Sequence, residues 1–195
     1  MDAKKERCLV LIKPDGVLRS LIGEIIARFE KCGLKVVGLG MVWPKREDID
    51  NHYPKEEAWL RKIGEKTLKN YEKYGIDPQQ ELGTSDTLEI GKMVREWLLD
   101  YMTKAPIVKV ALEGNHAADV VRKIVGDTLP LNSSPGTLRG DFSVEDAGLA
   151  NREKRAIYNL IHASENSEEA EREIKVWFKE EELFDYKNLL DKLYE

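Results

Sequence analysis

Two cysteines in 195 residues, and no long apolar run, remove whole classes of function at the outset. Cys8 and Cys32 lack the C-x-x-C spacing of a metal or redox site, so both are expected to be buried free thiols. No stretch approaches the length of a membrane span, and no apolar leader follows the charged Met1–Arg7, so a cytoplasmic protein is expected. The phosphate-cradling glycine motifs are missing too. No G-x-x-x-x-G-K-[ST] occurs, Gly64-Glu65-Lys66-Thr67 is a fragment of one inside a predicted helix, and no G-x-G-x-x-G follows a strand. Any nucleotide site here must therefore be built from side chains more than from a backbone nest. A basic excess is also absent: charged residues make up 34%, mixed in sign, with net charge −5. Broad adhesion to nucleic acid or acidic lipid has no support, although a local arginine cluster could still hold a small polyanion.

What is present reads as one α+β domain. Cys8–Ile12 is an apolar run closed by the turn signal Pro14-Asp15-Gly16. Leu21, Ile22, Ile25, Ile26 and Phe29 fall on one helical face, with Gly33 at the stop. Leu34–Trp43 is a second predicted strand, and a short helix follows around Glu47–Tyr53. Lys55–Tyr74 has Leu60, Ile63, Leu68 and Tyr71 at helical spacing. Asp86 with Glu89 three residues on resembles a capping box that opens a helix through Met102. Ile107–Leu112, Asn115–Val125, a long loop over Gly126–Asp141, a strand at Ile157–Ile161 and a helix over Ser167–Phe178 complete the order. That order predicts a ferredoxin-like α/β sandwich: a four-stranded antiparallel sheet, helices on one face, and an inserted helical hairpin.

With only three histidines, each position carries information. His162 stands where a predicted apolar strand breaks into an acidic turn. A neutral imidazole there could carry a phosphoryl group, or could be a structural histidine in a turn. Lys13 ends the first strand, Arg122 lies in the helix feeding the long loop, and Arg139 closes that loop. Singly these read as solvated cations; together they form an anion site of the kind phosphoryl transfer requires, with Thr128 and Asn159 adding neutral hydrogen bonds. His52 and His116 read as ordinary structural residues, and Trp177–Leu183 as packing.

Several segments in order resemble the signatures of nucleoside diphosphate kinases. They are Ile12-Lys13-Pro14-Asp15-Gly16-Val17, His52-Tyr53, Ser134–Phe142, Asn159-Leu160-Ile161-His162-Ala163-Ser164-Glu165 and Trp177-Phe178-Lys179. The resemblance covers nearly all of the chain outside two segments. It implies transfer of a γ-phosphoryl group from a nucleoside triphosphate to a diphosphate through a phosphohistidine, with ping-pong kinetics. His162 matches the nucleophile and Lys13 the lysine on nucleotide sugar and phosphate. Arg122, Thr128 and Arg139 match the phosphate-binding set, Asn159 the ribose contact, and Tyr53 a tyrosine near the reacting phosphate. Ser164 matches the serine of the histidine motif, and Glu173 the carboxylate that orients the imidazole. Mg2+ is implied as cofactor, held mainly by the nucleotide phosphates, so no protein metal ligand is expected.

Two stretches depart from the family pattern, at about 56–91 and 143–156. The first falls where the family places its base-clamping helices. Trp59 is a candidate for the stacking aromatic by its spacing from Tyr53, whereas counting back from Leu98 lands on Val94. The second adjoins the loop that builds contacts around a three-fold axis, so a homo-oligomer with the dimer as minimum is implied and a hexamer left open. The dimer is expected through the first helix and second strand. Two other readings compete: a non-catalytic regulatory or nucleic-acid-binding ferredoxin-like module, and a protein-histidine phosphocarrier. The acidic net charge and the absence of aromatics in Cys8–Ile12 oppose nucleic acid as a partner.

Overall fold

The computed structural model describes residues 5–193; Met1–Lys4 of the charged N-terminal stretch lie outside them. Four strands form the sheet: β1 (Lys5–Ile12), β2 (Lys35–Val42), β3 (Ile107–Asn115) and β4 (Ile161–Ala163). Six helices precede β3: α1 (Pro14–Leu18), α2 (Ile22–Lys31), α3 (Arg46–His52), α4 (Glu57–Lys73), α5 (Pro78–Leu82) and α6 (Thr87–Met102). The others are α7 (Ala117–Val125), α8 (Leu138–Phe142), α9 (Ala147–Arg152), α10 (Ser167–Trp177) and α11 (Leu189–Leu193). The sheet order is β2-β3-β1-β4 with every pair antiparallel, the predicted ferredoxin-like arrangement.

β1 explains why both faces of this sheet are covered. Every residue from Cys8 to Ile12 is fully buried, so the strand has no solvent face, and an unbroken apolar run is what such a strand needs. Cys8, Val10 and Ile12 pack with Ile25 and Phe29 of α2 and Val121 and Val125 of α7. Leu9 and Leu11 point the other way, into Ile49 of α3, Leu99 and Met102 of α6, and Ile174 and Trp177 of α10. The expectation of helices on a single face is corrected accordingly.

Other expectations shift for local reasons. Pro14-Asp15-Gly16 is the opening of α1, with proline at its first position, where a missing N–H costs nothing. Asp86 does cap α6, accepting from the N–H groups of Leu88 and Glu89, but Glu89 accepts from the Thr84 hydroxyl rather than completing a capping box. The Gly126–Asp141 segment contains a 3-10 turn at Pro130–Asn132 and the start of α8, so Arg139 is a helix residue. The fourth strand begins at Ile161, where pairing with Ile12 starts, so His162 is its middle residue rather than its end. Cys8 is buried but Cys32, just past α2, is exposed; both are free thiols. The two unusual segments meet: Tyr71 of α4 is fully buried and its hydroxyl donates to the Asn151 carbonyl of α9 at 3.4 Å. No described helix is long and apolar enough to cross a membrane.

Candidate active site

The strand register places His162 opposite Leu11, with its side chain 18% exposed. Glu173 reaches it from α10, the helix that packs on β1, with Oε2 2.9 Å from His162 Nε2. The Ser164 hydroxyl donates to the same carboxylate oxygen at 2.6 Å. Burial alone would raise the Glu173 carboxyl, but the His162 ring and its hydrogen bond, with His52 and Ser164, hold it down to about 2. An ionised carboxylate only accepts, so His162 carries its hydrogen on Nε2 and Nδ1 keeps a lone pair. The arrangement selects one tautomer of His162.

The turn before β4 is as specific as the His162–Glu173–Ser164 hydrogen bonds. Leu160 is a buried, non-glycine residue with φ +68°, and Ile161 N–H closes back onto the Asn159 carbonyl at 2.7 Å. A side chain in that region costs about 1–3 kcal/mol and persists only when its surroundings enforce it. They do: the Lys13 N–H donates to the Leu160 carbonyl at 2.8 Å, and the Leu160 N–H donates to Asp15 Oδ2 at 3.1 Å. The other Asp15 oxygen accepts from the Tyr101 hydroxyl of α6. Gly16 is required here, because a Cβ would lie 2.8 Å from Ile12 and 3.2 Å from the Leu160 carbonyl. From the sequence Asp15 and Leu160 stand only as parts of a turn signal and of family motifs, and Tyr101 is not singled out; a strained φ set by tertiary contacts leaves no mark in a pattern of apolar residues.

The predicted cationic residues fall into two groups. Lys13 and Arg139 are buried. Lys13 Nζ donates to Asn159 Oδ1 at 2.7 Å, and Asn159 Nδ2 donates to the Thr128 carbonyl at 2.8 Å. Burial, with Arg139 nearby, pulls the Lys13 ammonium down to about 7. Arg139 directs four of the five N–H groups of a guanidinium at main-chain carbonyls, those of Asn159, Gly126, Asp127 and Ile161. It clasps the loop at 126–127 onto β4, and burial draws it to about 10, still charged at neutral pH. Arg122 and the Thr128 side chain are exposed, and Arg122 donates to the Glu165 carbonyl, just beyond the His162 motif, at 2.9 Å.

Tyr53 and His52 sit at the end of α3 against the same histidine. The His52 ring lies 4.4 Å from that of His162 at 87° and 4.8 Å from that of Tyr53. Tyr53 is buried with its hydroxyl unpartnered, and burial pushes that phenol well above its ordinary range. Arg95 of α6 secures this corner by donating to the carbonyls of Asp50, Tyr53 and Pro54. Trp59 is half-buried, its ring 6.2 Å from that of Tyr53. His52, read as ordinary from the sequence, thus belongs to the site; its place beside Tyr53 was the only signal. His116 is the residue that opens α7, with φ +50°.

Among the described residues, His52, His162 and Glu173 are one group whose ligand atoms lie within 4.8 Å of one another. Its nitrogen-rich composition does not suit Mg2+, which takes oxygen ligands.

The nucleoside diphosphate kinase family model matches residues 6–61 and 88–183, leaving 62–87 outside, within the predicted hairpin insertion at 56–91; the segment 143–156 lies inside the match. A nucleoside diphosphate kinase of Pyrobaculum aerophilum is 50% identical over 180 residues, 92% of this chain and 98% of the relative. One from Pyrococcus furiosus is 42% identical, over 97% of this chain and 92% of its own length. The crystal structure of an NDP kinase from Pyrobaculum aerophilum superposes with TM-score 0.91 at 47% identity, covering 93% of this chain and all of that one. A transition-state mimic of the Borrelia burgdorferi enzyme, with bound vanadate and ADP, gives TM-score 0.75 at 32% identity, covering 95% and 94%. The chain belongs to the nucleoside diphosphate kinase family.

Proposed function

We propose that this chain passes the γ-phosphoryl group of a nucleoside triphosphate to a nucleoside diphosphate, with His162 as the covalent carrier. The observation that supports this most is the His162–Glu173–Ser164 chain, which leaves Nδ1 as the free nucleophile. In the first half-reaction the Nδ1 lone pair attacks the γ-phosphorus. The bond to the β,γ-bridging oxygen breaks and the diphosphate leaves. The positive charge gained by the ring faces the ionised Glu173. In the second half a β-phosphate oxygen of the acceptor attacks the phosphorus, the N–P bond breaks, and the ring returns to its Nε2–H form. One site serves both nucleotides in turn, hence ping-pong kinetics.

The remaining residues supply alignment and charge neutralisation, which is most of what phosphoryl transfer asks of a protein. Lys13, Arg122, Thr128 and Arg139 take the phosphates, Asn159 the ribose, and Tyr53 lies beside the reacting phosphate. Phosphate beside Lys13 favours its charged form and offsets the effect of its burial. Mg2+ bound to the nucleotide phosphates would supply further charge neutralisation and would ask no dedicated ligand of this chain, beside the charges of Lys13, Arg122 and Arg139. Trp59 of α4, whose ring flanks Tyr53, is the candidate for the base. The outer edge of β2 beyond Val37, with Leu39 and Met41 exposed and Trp43 exposed just after the strand, supports association of copies through that strand. The two unpaired thiols fit a cytosolic setting.

The test uses γ-labelled ATP with magnesium. An acid-labile, alkali-stable phosphoenzyme should form, any nucleoside diphosphate should discharge it, and His162→Ala should not label. Labelling of His162→Ala at the parental rate would sink the mechanism. Discharge by a protein alone would favour a phosphocarrier, and no labelling of the parent a non-catalytic module.

A further inference from the structure

His52 is a buried imidazole that the mechanism above does not use. The Trp177 indole N–H donates to its Nδ1 at 3.2 Å. An indole nitrogen can only donate, so Nδ1 holds a lone pair and the hydrogen of His52 is on Nε2, which is buried without a partner. Nδ1 also lies 3.6 Å from Glu173 Oε1, lone pair facing lone pair with no hydrogen between them. A proton at that position would create a second imidazole–carboxylate bond on the residue that orients His162.

We propose that Trp177 and His52 are positioning residues for the transfer reaction: the indole N–H bars a proton from His52 Nδ1, which keeps His52 from competing with His162 for Glu173. The neutral His52 ring, set edge-to-face at 4.4 Å, then steadies the plane of the nucleophile. This rests on His162 being the carrier. The groups facing His52 are consistent with a neutral ring. From β4 there is His162; from α10, Glu173, Trp177 and Arg172, whose guanidinium donates to the His52 carbonyl at 3.5 Å. From the α3 corner there is Tyr53, and the Lys13 charge at the end of β1 also bears on it. Burial, and then the charges of His162, Arg172 and Lys13, push the His52 imidazole well below its ordinary range, and Glu173 alone opposes them.

Trp177→Phe keeps an aromatic ring and removes the N–H together with part of the indole's packing volume, and the packing loss is the same at every pH. His52 Nδ1 then becomes protonatable, and at lower pH it competes for Glu173. The rate of phosphoenzyme formation should fall short of the parent by about tenfold near pH 6 and by only about twofold near pH 8.5. In the double variant Trp177→Phe/His52→Phe nothing can titrate at that position, so the deficit should become pH-independent. Histidine-selective 15N NMR of the intact parent adds a readout independent of activity: one of three histidines should stay a neutral Nε2–H tautomer from about pH 5 to 8. A deficit equal at every pH in Trp177→Phe, a pH-dependent deficit surviving in the double variant, or a His52 that titrates in that range overturns the proposal. Absence of any phosphoenzyme in the parent counts against His162 as carrier instead.

Discussion

Glu173 is a carboxylate kept ionised where burial opposes ionisation, and two consequences follow for Glu173→Gln. The amide can accept from His162 Nε2–H but carries no charge to face the developing imidazolium, and Ser164 must share a weaker acceptor. The turnover number should fall by about a hundredfold with KM changed little, because only the transition state carries that charge. The second consequence concerns acid. The folded carboxyl titrates at about 2 against an ordinary 4.5, so its stabilising contribution is complete above about pH 4.5 and disappears as pH falls towards 2. Urea midpoints at pH 6 and pH 3 should therefore differ more for the parent than for Glu173→Gln. Equal differences in the two proteins would show that the buried pair does not carry the acid sensitivity.

Among the elements, α4 and α6 cross at glycines. A Cβ on Gly64 would lie 1.9 Å from the Thr87 carbonyl oxygen, and one on Gly91 would lie 2.0 Å from that of Leu60. Each helix thus seats its backbone in the notch left by the other's missing side chain. Gly64→Ala gains helix propensity, worth about 1 kcal/mol, but forces the backbones apart, so a net loss of about 2 kcal/mol or more is expected from denaturant unfolding. A neutral or stabilising result would mean the helices do not meet this closely. The same contrast shows what the sequence discloses. The helices of the arm follow from apolar residues at helical spacing, and the cap at Asp86 from its type and place. The crossing does not follow, because a glycine inside a helix reads only as a propensity defect until its neighbour is known. β4 is the sharper case. A strand of three residues has too few positions to show a period, and its start is set by the turn at Leu160, which Lys13 and Asp15 enforce from far away in sequence. The residue types of the site were legible as a family signature. The clasp Arg139 makes on main-chain carbonyls was not, since arginine reads as a ligand for anions whichever acceptor it meets.

On the scale of the whole molecule, the sheet has two unlike edges. β4 is short and carries His162, whereas β2 has eight residues and pairs as a strand only with β3, the Val36 and Val37 carbonyls at its start being taken by the Tyr186 hydroxyl and the Phe184 N–H. Leu39 and Met41 of β2, and Trp43 just after it, alternate with 56%, 59% and 64% of their surface exposed, so one face of this edge is apolar and open. An edge of that length with apolar side chains is a template for pairing, which monomeric proteins blunt with charge or proline. Here Pro44 follows the strand and no charged residue lies between Val36 and Trp43, so the edge is left uncharged. Continuation of the sheet into a second copy would pair the N–H and C=O groups of the edge beyond Val37 and cover the three side chains at once. Leu39→Lys together with Met41→Glu places charges on that edge without touching β3 pairing. Light scattering after size-exclusion chromatography should show the double variant shifting to a smaller species, while its phosphoenzyme still forms because His162 is on the opposite edge strand. Association that survives both charges would place the contact between copies elsewhere, with Leu18 of α1, 71% exposed, the next surface to examine.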